Sequence, residues 1–242
     1  TTRSTLEWDS ERNDLVLRVQ RRLGVLRLDE QLRRPEPGPE TTEALLNRLR
    51  ATRLAALPWT SDSLRLRERV TFCHLALGAP WPDWSIDGLL ATIDSWLTDY
   101  LMNATSQGDI DQLNLATLLR ASLPWPEGAD LDNIAPAVFR LPNGRDSEIS
   151  YRDDNGEPRP TVRARVQDVF GLDNHPAVAH MPITFELLSP ADRPIQVTSD
   201  LPGFWRGSWS DVRKDLAGRY PQHRWPEHPH EATPGRLGND DN

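Results

Sequence analysis

The chain has 242 residues, enough for one large or two small globular domains, and its composition, 37% hydrophobic and 26% charged, is that of a water-soluble globular protein. No apolar run approaches the roughly 18–20 residues that a membrane-spanning helix needs, and no secretory signal opens the chain. The net charge of −8 argues against a protein whose main task is to coat nucleic acid, because phosphate binding favours a basic surface.

The single cysteine, Cys73, excludes an intrachain disulfide framework, and we expect a cytoplasmic protein. Cys73 lies in an apolar helical stretch beside His74. Adjacent residues do not face each other on a helix, so we interpret Cys73 as a buried small hydrophobe rather than a reactive thiol. The chain starts at Thr1 without an initiator methionine, from which we expect an excised fragment or a processed chain.

Residues 5–33 have an extended pattern, in which Leu15, Leu17 and Val19 alternate with other side chains. The pattern predicts a long hairpin with a kink at Gly24. Two or three strands do not bury a core by themselves, so we expect the end of a barrel or sheet whose other strands lie upstream. The proline-rich run 33–40 then predicts a linker.

Residues 41–122 have helical periodicity. The clearest helix is 85–101, with Ser85 as its predicted N-cap. Asp109 is predicted to cap the next helix, with Gln112 as its capping-box partner.

Four tryptophans lie in the proline-containing connections of this helical region: Trp59, Trp81, Trp84 and Trp125. They could form a platform on which bases stack, or they could anchor loops at the ends of a helical bundle. We favour the loop anchors.

The pattern changes from about residue 135. Residues 137–141 and 148–151 predict two strands, and the Asn143-Gly144 pair between them is a strong signal for a hairpin turn. Residues 162–170 fit either a helix or a strand. Residues 183–188 and 195–198 predict two further strands.

Ser208 is predicted to cap a last helix, with Asp211 in the capping-box position. Beyond Glu227 the composition of His, Pro, Gly, Asn and Asp predicts a disordered tail.

Motifs for chemistry are absent from the sequence. It contains no phosphate-binding P-loop, no nucleophile elbow and no His-Glu-x-x-His helix, so no catalytic residue is assigned. His223, His228 and His230 have irregular spacing and no cysteine partner, so we expect no metal site. The sequence therefore contains no set of residues that would support an independent enzyme.

The segment 187–226 is the most specific part of the sequence. It contains Leu-Leu-Ser-Pro at 187–190, Phe-Trp-Arg-Gly at 204–207 and Gly-Arg-Tyr-Pro at 218–221. The segment resembles the terminal signature of the bacterial HrpB-type DEAH-box ATP-dependent helicases. Upstream features, including Val-Gln-Asp-Val-Phe-Gly at 166–171, follow in matching order, and the resemblance spans essentially the whole chain.

The periodicity, the composition and the resemblance together predict an α+β fold in four parts: the C-terminal strands of an OB-like β-barrel domain (1–34), a helical domain (35–134), a small mixed α/β C-terminal domain with the signature (135–228), and a disordered tail (229–242). The resemblance also implies an upstream motor of RecA-like domains that binds ATP and Mg²⁺. None of the motor's catalytic residues has a matching position here, so we expect no cofactor in this chain.

Two groups of cationic and aromatic residues are candidate contacts with nucleic acid or a partner. The first lies on the OB-like strands: Arg18, Arg21, Arg22 and Arg27. The second lies near the end of the chain: Arg206, Arg213, Lys214, Arg219, Tyr220 and Trp225. The alternative for the second group is an internal role, in which these residues fasten a helix to a sheet.

We therefore predict an accessory region of an ATP-dependent RNA helicase that assists nucleic-acid guidance or partner binding without the motor itself. The expected partners are the upstream motor domains, single-stranded RNA or another protein, and no membrane. The alternative function is a protein–protein scaffold without direct contact to nucleic acid, which the acidic balance favours.

Overall fold

The computed structural model describes residues 2–23, 26–153 and 155–234. The chain forms two compact units: Thr1–Arg67 with Pro82–Gly128 (unit 1), and Glu68–Trp81 with Ala129–Asn242 (unit 2). Both contain helices and strands, which confirms the predicted α+β class. The boundaries of the four predicted parts differ from those of these two units, and the four-part division stays a prediction.

Unit 1 begins with an antiparallel sheet in the order β1-β2-β3, whose strands are β1 (Thr2–Asp9), β2 (Asp14–Leu23) and β3 (Leu26–Arg33). Leu23 pairs with Leu26 in the antiparallel β2–β3 pair. The predicted kink at Gly24 lies outside the described residues. The described strands form an open sheet, and the predicted OB-like barrel is not seen in them.

The helices of unit 1 follow this sheet: α1 (Pro39–Ala51), the first part of α2 (Ser61–Leu77), α3 (Ile86–Ala91), α4 (Ile93–Leu101), α5 (Gln107–Asp111) and α6 (Leu115–Ala121). Buried leucines of these helices and of the turn after α1 form the core of the unit: Leu45, Leu49, Leu54, Leu89, Leu97, Leu101 and Leu119. The predicted helix 85–101 is two helices, because the chain breaks at Thr92.

The helix caps differ in part from prediction. Ser85 caps α3, as predicted, and its Oγ accepts from the Gly88 backbone N–H at 3.1 Å. The prediction for Asp109 is wrong, because Ser106 caps α5 and accepts from the Asp109 N–H at 3.2 Å. Asp109 thus occupies the third helical position, from which its carboxylate reaches back to the cap. Asn114 caps α6.

The tryptophans of the connections have two kinds of environment. Trp81 and Trp84 are buried, and half-buried Trp59 donates its indole N–H to the Leu54 carbonyl at 2.8 Å. These three anchor loops, as predicted. Trp125 is 82% exposed, so the prediction is wrong for this residue.

Unit 2 contains the rest of α2, most of α7 (Glu127–Ile134) and a sheet in the order β10-β9-β6-β5-β4. Its strands are β4 (Val138–Arg140), β5 (Asp146–Arg152), β6 (Pro158–Arg165), β9 (Thr184–Leu188) and β10 (Pro194–Thr198). Only the β6–β9 pair is parallel among the strand pairs of the described residues. A short hairpin precedes β9: β7 (Ala177–Val178) and β8 (Met181–Pro182).

The predicted hairpin turn joins β4 and β5, and Gly144 adopts φ 81°, a conformation that favours glycine. The ambiguous segment 162–170 contains both the end of β6 and a 3-10 turn, Val166–Val169. Alternate residues of β6 face the core, so its periodicity is that of a strand.

The C-terminal part of unit 2 contains α8 (Leu201–Arg206), α9 (Trp209–Arg219) and a 3-10 turn at Pro229–Glu231. The sequence did not predict α8, which Asp200 caps by accepting from the Gly203 N–H at 2.9 Å. Ser208 precedes α9 as predicted, but its side chain makes no capping hydrogen bond.

The first residues of the predicted disordered tail have defined structure. The Gly171 N–H donates to the carbonyl of buried Pro229 at 2.9 Å. This contact joins Pro229 to unit 2, and the disordered tail predicted for 229–242 stays a prediction. Residues 235–242 lie outside the described residues.

Two aromatic contacts support the core of unit 2. Phe72 of α2 packs on Tyr151 of β5 with ring centroids 4.7 Å apart. Around Phe170, the rings of α8 and α9 form a cluster of Phe204, Trp205 and Trp209. In the described part of the chain, no helix is long and apolar enough to cross a bilayer.

Candidate nucleic-acid interface

Arg18 lies in the middle strand of the three-stranded sheet, between two glutamates. Its Nε donates to Glu7 Oε1 of β1 at 2.6 Å, and its Nη1 donates to Glu30 of β3. The hydrogen bond to Glu7 is the main cause of a raised pKa of the Arg18 guanidinium. Because two carboxylates compensate this charge, Arg18 joins the three strands and is a poor partner for phosphate.

The other arginines of the first group do not form a single row with Arg18 on one face of the sheet. Arg21 is exposed, and the alternation of a strand places it on the face opposite Arg18. Arg22 follows a register shift and donates to Gln20 Oε1 at 2.9 Å. The side chain of Arg27 lies outside the described residues.

The cations of the second group have acidic neighbours. Arg219 pairs with Asp215 at 3.1 Å, and Lys214 lies 3.6 Å from Asp211. Arg213 lies 3.6 Å from Glu227. Arg206 is exposed in the last turn of α8.

The aromatic members of the second group make internal hydrogen bonds. Trp225 donates its indole N–H to the Tyr220 carbonyl at 2.8 Å, and the Tyr220 hydroxyl lies 3.3 Å from Ser189 Oγ. Both side chains are half-buried. These hydrogen bonds support an internal role for Tyr220 and Trp225. That either group of residues contacts nucleic acid or a partner stays a prediction.

Sequence reasoning missed a cleft of about 360 Å³ in unit 1, beside the N-terminal end of β2. Three arginines line it: Arg12, Arg33 and Arg34. Leu15, Val16 and Leu32 form its apolar wall, and Asp14 and Ser106 complete it. The three arginines come from the β1–β2 turn and the end of β3, which are distant in sequence and adjacent in the antiparallel sheet. Periodicity does not reveal such a convergence.

The cleft is held at one end by Asp109. Its carboxylate accepts from the Thr105 N–H at 2.8 Å, from Ser106 Oγ at 2.8 Å and from Arg34 Nη2 at 3.0 Å. These bonds, with that of the Thr105 N–H as the largest cause, lower the pKa of Asp109 to about 2. Asp109 therefore stays ionised and orients Arg34 across the physiological pH range.

The far end of the three-stranded sheet exposes apolar side chains. Leu23, Leu26 and Leu28 are 68%, 64% and 60% exposed. We call them the leucine tip. Neighbouring exposed leucines form a candidate contact surface.

The described residues contain no cluster of three or more potential metal-ligating side chains. The rings of His228 and His230 contact each other at a centroid distance of 6.1 Å, whereas His223 lies between Tyr220 and Trp225.

The sheets, helices and signature segment of the described residues match those of a known class, the C-terminal regions of ATP-dependent helicases. The family described as ATP-dependent helicase C-terminal (HrpB_C) matches residues 96–229, and the chain belongs to this family.

The chain is also similar to individual HrpB proteins. It is 34% identical over 235 residues to the ATP-dependent RNA helicase HrpB of Escherichia coli strain K12, covering 96% of this chain and 29% of that protein. The crystal structure of the E. coli DExH-box NTPase HrpB superimposes with a TM-score of 0.78 at 33% identity, over 98% of this chain and 30% of that one. A second structure, of the E. coli DEAH/RHA helicase HrpB, gives a TM-score of 0.68 at 32% identity, over 93% of this chain and 28% of that one. The chain thus spans less than a third of the length of these relatives.

Proposed function

We propose that this chain is the accessory C-terminal region of an ATP-dependent RNA helicase and guides single-stranded RNA along the arginine-lined cleft of unit 1. Family membership supplies the helicase context, and the relative named above is described as an RNA helicase. The single observation that carries the nucleic-acid role is the convergence of Arg12, Arg33 and Arg34 on one cleft.

The cleft suits a single strand better than the predicted arginine groups do. Arg12 and Arg34 each pair with one aspartate, Asp9 at 3.6 Å and Asp109 at 3.0 Å, but both side chains are about two-thirds exposed, so their guanidinium groups are accessible to phosphate. Proteins that bind single strands without sequence preference follow the strand's backbone with a positively charged groove. Because Leu15 and Val16 are buried beneath this cleft, its arginines supply the contact surface. The acidic net charge limits the affinity, so the cleft guides a strand that the motor holds.

The test is fluorescence anisotropy of labelled single-stranded RNA with the 242-residue chain at several salt concentrations. The double variant Arg12→Ala/Arg33→Ala removes two phosphate partners and leaves the Arg34–Asp109 contact in place. We expect binding about tenfold weaker and a salt slope reduced by about 1.4, since each lost phosphate contact on a single strand removes about 0.7.

Arg53→Ala is the matched control, because Arg53 is an equally exposed arginine of unit 1, paired with Asp87 at 2.8 Å. Binding without salt dependence, or a double variant that binds like the unchanged chain, would contradict the role of the cleft.

A second candidate function is contact with the upstream part of the parent protein, and the leucine tip favours it. β1 and β3 are the edge strands of their sheet, and both the exposed edges and the leucine tip are available to further strands. An upstream segment that pairs with an edge and covers the tip would complete the OB-like domain that the sequence resemblance implies.

Co-purification of this chain with a separately produced upstream part of the parent protein tests this contact. Leu26→Lys/Leu28→Lys should abolish it, whereas Val197→Lys, at an equally exposed apolar strand position of unit 2, should not. Retention of the complex by the leucine variant would rule out the tip as the contact.

A further inference from the structure

Asp14 carries the opposite charge to its neighbours in the cleft of unit 1. Among the described residues that line this cleft, the other polar ones are three arginines and Ser106. A carboxylate repels phosphate groups, since like charges at short range raise the energy. Asp14 therefore weakens phosphate binding by the arginines, and its place in the cleft requires another physical reason.

One oxygen of the Asp14 carboxylate joins the sheet to α5. Oδ1 accepts from the Gln107 N–H and from the Leu15 N–H, both at 2.8 Å. These two bonds hold the carboxylate against the backbone of two separate segments. An asparagine side chain would supply the same acceptor without a charge, so this contact does not explain why the residue is acidic.

The other oxygen of the Asp14 carboxylate is open. Oδ2 accepts no hydrogen bond from the residues that the structure describes, and it is not one of their buried, unpaired atoms. Since Asp14 is half-buried and lines the cleft, this oxygen is accessible to a bound molecule. A carboxylate accepts hydrogen bonds and donates none, so the partner that suits Oδ2 is a donor.

The arginines of the cleft indicate which part of a strand passes Asp14. Arg33 is exposed, and its Nη2 donates to a neutral partner, Gln31 Oε1, at 2.7 Å. Arg12 and Arg34 are accessible although each has an aspartate partner. In the proposed function these guanidinium groups contact phosphates. A ribose connects each phosphate of a strand to the next, so the sugars pass through the same cleft as the phosphates.

We propose that Asp14 is the residue by which this cleft distinguishes RNA from DNA, with its Oδ2 accepting a hydrogen bond from a ribose 2′-hydroxyl group. This inference rests on the proposed guidance of a single strand by the cleft. The 2′-hydroxyl is the donor that the sugar of RNA has and that of DNA lacks. With deoxyribose, the carboxylate meets no donor on the sugar and only repels the phosphates.

The bases also carry donor groups, but these differ from one base to another. Every ribonucleotide has the 2′-hydroxyl, so it is the donor that a carboxylate meets at each step of a strand that moves through the cleft. A sugar contact therefore fits a cleft that guides strands of any sequence.

Competition anisotropy with the 242-residue chain at fixed ionic strength tests the proposal. Three unlabelled strands of equal length, made of uridine alone, displace a labelled RNA: the ribose strand, the deoxyribose strand and the 2′-O-methyl strand. We expect the ribose strand to bind about fivefold more tightly than the deoxyribose strand, within the range of one hydrogen bond. The 2′-O-methyl strand should bind like the deoxyribose strand, because the methyl group removes the donor and keeps the oxygen.

Asp14→Asn connects this preference to the named residue. The variant can keep the Oδ1 acceptor that joins the sheet to α5, and it replaces Oδ2 with an amide donor. The preference for ribose should fall from about fivefold to within about twofold, and the deoxyribose strand should bind more tightly because the repulsion is removed. Asp99→Asn, at an exposed aspartate of α4 that does not line the cleft, is the matched control and should keep the preference.

Equal binding of the ribose and deoxyribose strands, still weakened by Arg12→Ala/Arg33→Ala, would overturn the role of Asp14 and leave the cleft as a guide for either kind of strand. A 2′-O-methyl strand that binds like the ribose strand would overturn it too, and this comparison uses the unchanged chain, so it holds should Asp14→Asn unfold. A preference that a folded Asp14→Asn variant retains would assign the hydroxyl contact to another residue. Absence of salt-dependent binding by all three strands would contradict the proposed function itself.

Discussion

The three-stranded sheet of unit 1 and the five-stranded sheet of unit 2 differ in what stabilises them. In the five-stranded sheet, alternate side chains such as Val162, Phe185 and Leu187 are completely buried. In the three-stranded sheet, Leu15 and Val16 are the buried hydrophobic residues among those described. The larger sheet therefore rests on apolar burial, which is the dominant favourable contribution to folding.

The smaller sheet depends on polar contacts. Arg18 joins its three strands through Glu7 and Glu30, and the guanidinium of Arg48 from α1 stacks over Trp8 at 4.4 Å. The Gln107 backbone N–H of α5 donates to Asp14 at 2.8 Å. Exposed ion pairs contribute little stability, so the contacts of the sheet with α1 and α5 should stabilise it more than the ion pairs between its strands. The sheet with fewer buried hydrophobic residues is therefore the one that carries the accessible cleft and the leucine tip.

Loss of a core aromatic residue in unit 2 should have the largest effect. Trp209 is 1% exposed, packs against Phe170, Trp205 and Phe204, and donates to the Pro226 carbonyl at 3.0 Å. Trp209→Ala should lower the free energy of unfolding by about 3–5 kcal/mol, the usual cost of such a cavity. Urea denaturation followed by circular dichroism measures it.

Trp125→Ala is the control for this comparison, because 82% of Trp125 is exposed, and we expect a change within about 0.5 kcal/mol. Similar losses in the free energy of unfolding for the two variants would show that burial is not what makes Trp209 important for stability.

Asp109→Asn should have an intermediate effect in unit 1. The folded pKa of Asp109 is lowered to about 2 from 3.8, so its contribution to stability is present above pH 3.8 and is lost as the pH falls towards 2. Partial exposure screens the carboxylate, and we expect a loss of about 1–2 kcal/mol at pH 7. Denaturation of both proteins between pH 7 and pH 2 measures the difference, which should shrink below pH 4.

Asp99, an exposed aspartate of α4, supplies the control, since Asp99→Asn should change the free energy of unfolding at pH 7 by less than about 0.5 kcal/mol. A difference between Asp109→Asn and the unchanged chain that persists at pH 2 would mean that the carboxylate charge is not its cause.

The leucine tip should have the smallest effect on stability. Leu26→Gln/Leu28→Gln changes two exposed side chains, and we expect a change in the free energy of unfolding within about 0.5 kcal/mol. Urea denaturation measures this too. A loss above about 2 kcal/mol would mean that the tip belongs to the core of the chain and is not a contact surface.

The sequence predicted local structure well where one residue type controls it. Ser85 caps its helix and Gly144 forms its hairpin turn, because a capping oxygen or a positive φ acts over a few residues. It misjudged Asp109, since a carboxylate can cap a helix or reach back to a cap three residues earlier, and both have the same local signature. It missed α8 because Pro202 near its start resembles a turn.

The candidate sites were less predictable. The arginines of β2 were visible in the sequence, but the glutamates that neutralise Arg18 lie eleven and twelve residues away, on neighbouring strands. Likewise, nothing local indicates that Arg12, Arg33 and Ser106 line one cleft. Such convergence depends on strand pairing and on the contact of α5 with the sheet.

By itself, the sequence determined the fold class, the periodic helices and strands, and the signature that defines the family, because these follow from residue types at fixed spacing. Only the tertiary structure decided which arginines are compensated, which tryptophan is exposed and where cavities form. Those properties depend on distances between segments far apart in the chain, and charge compensation and burial are set by those distances.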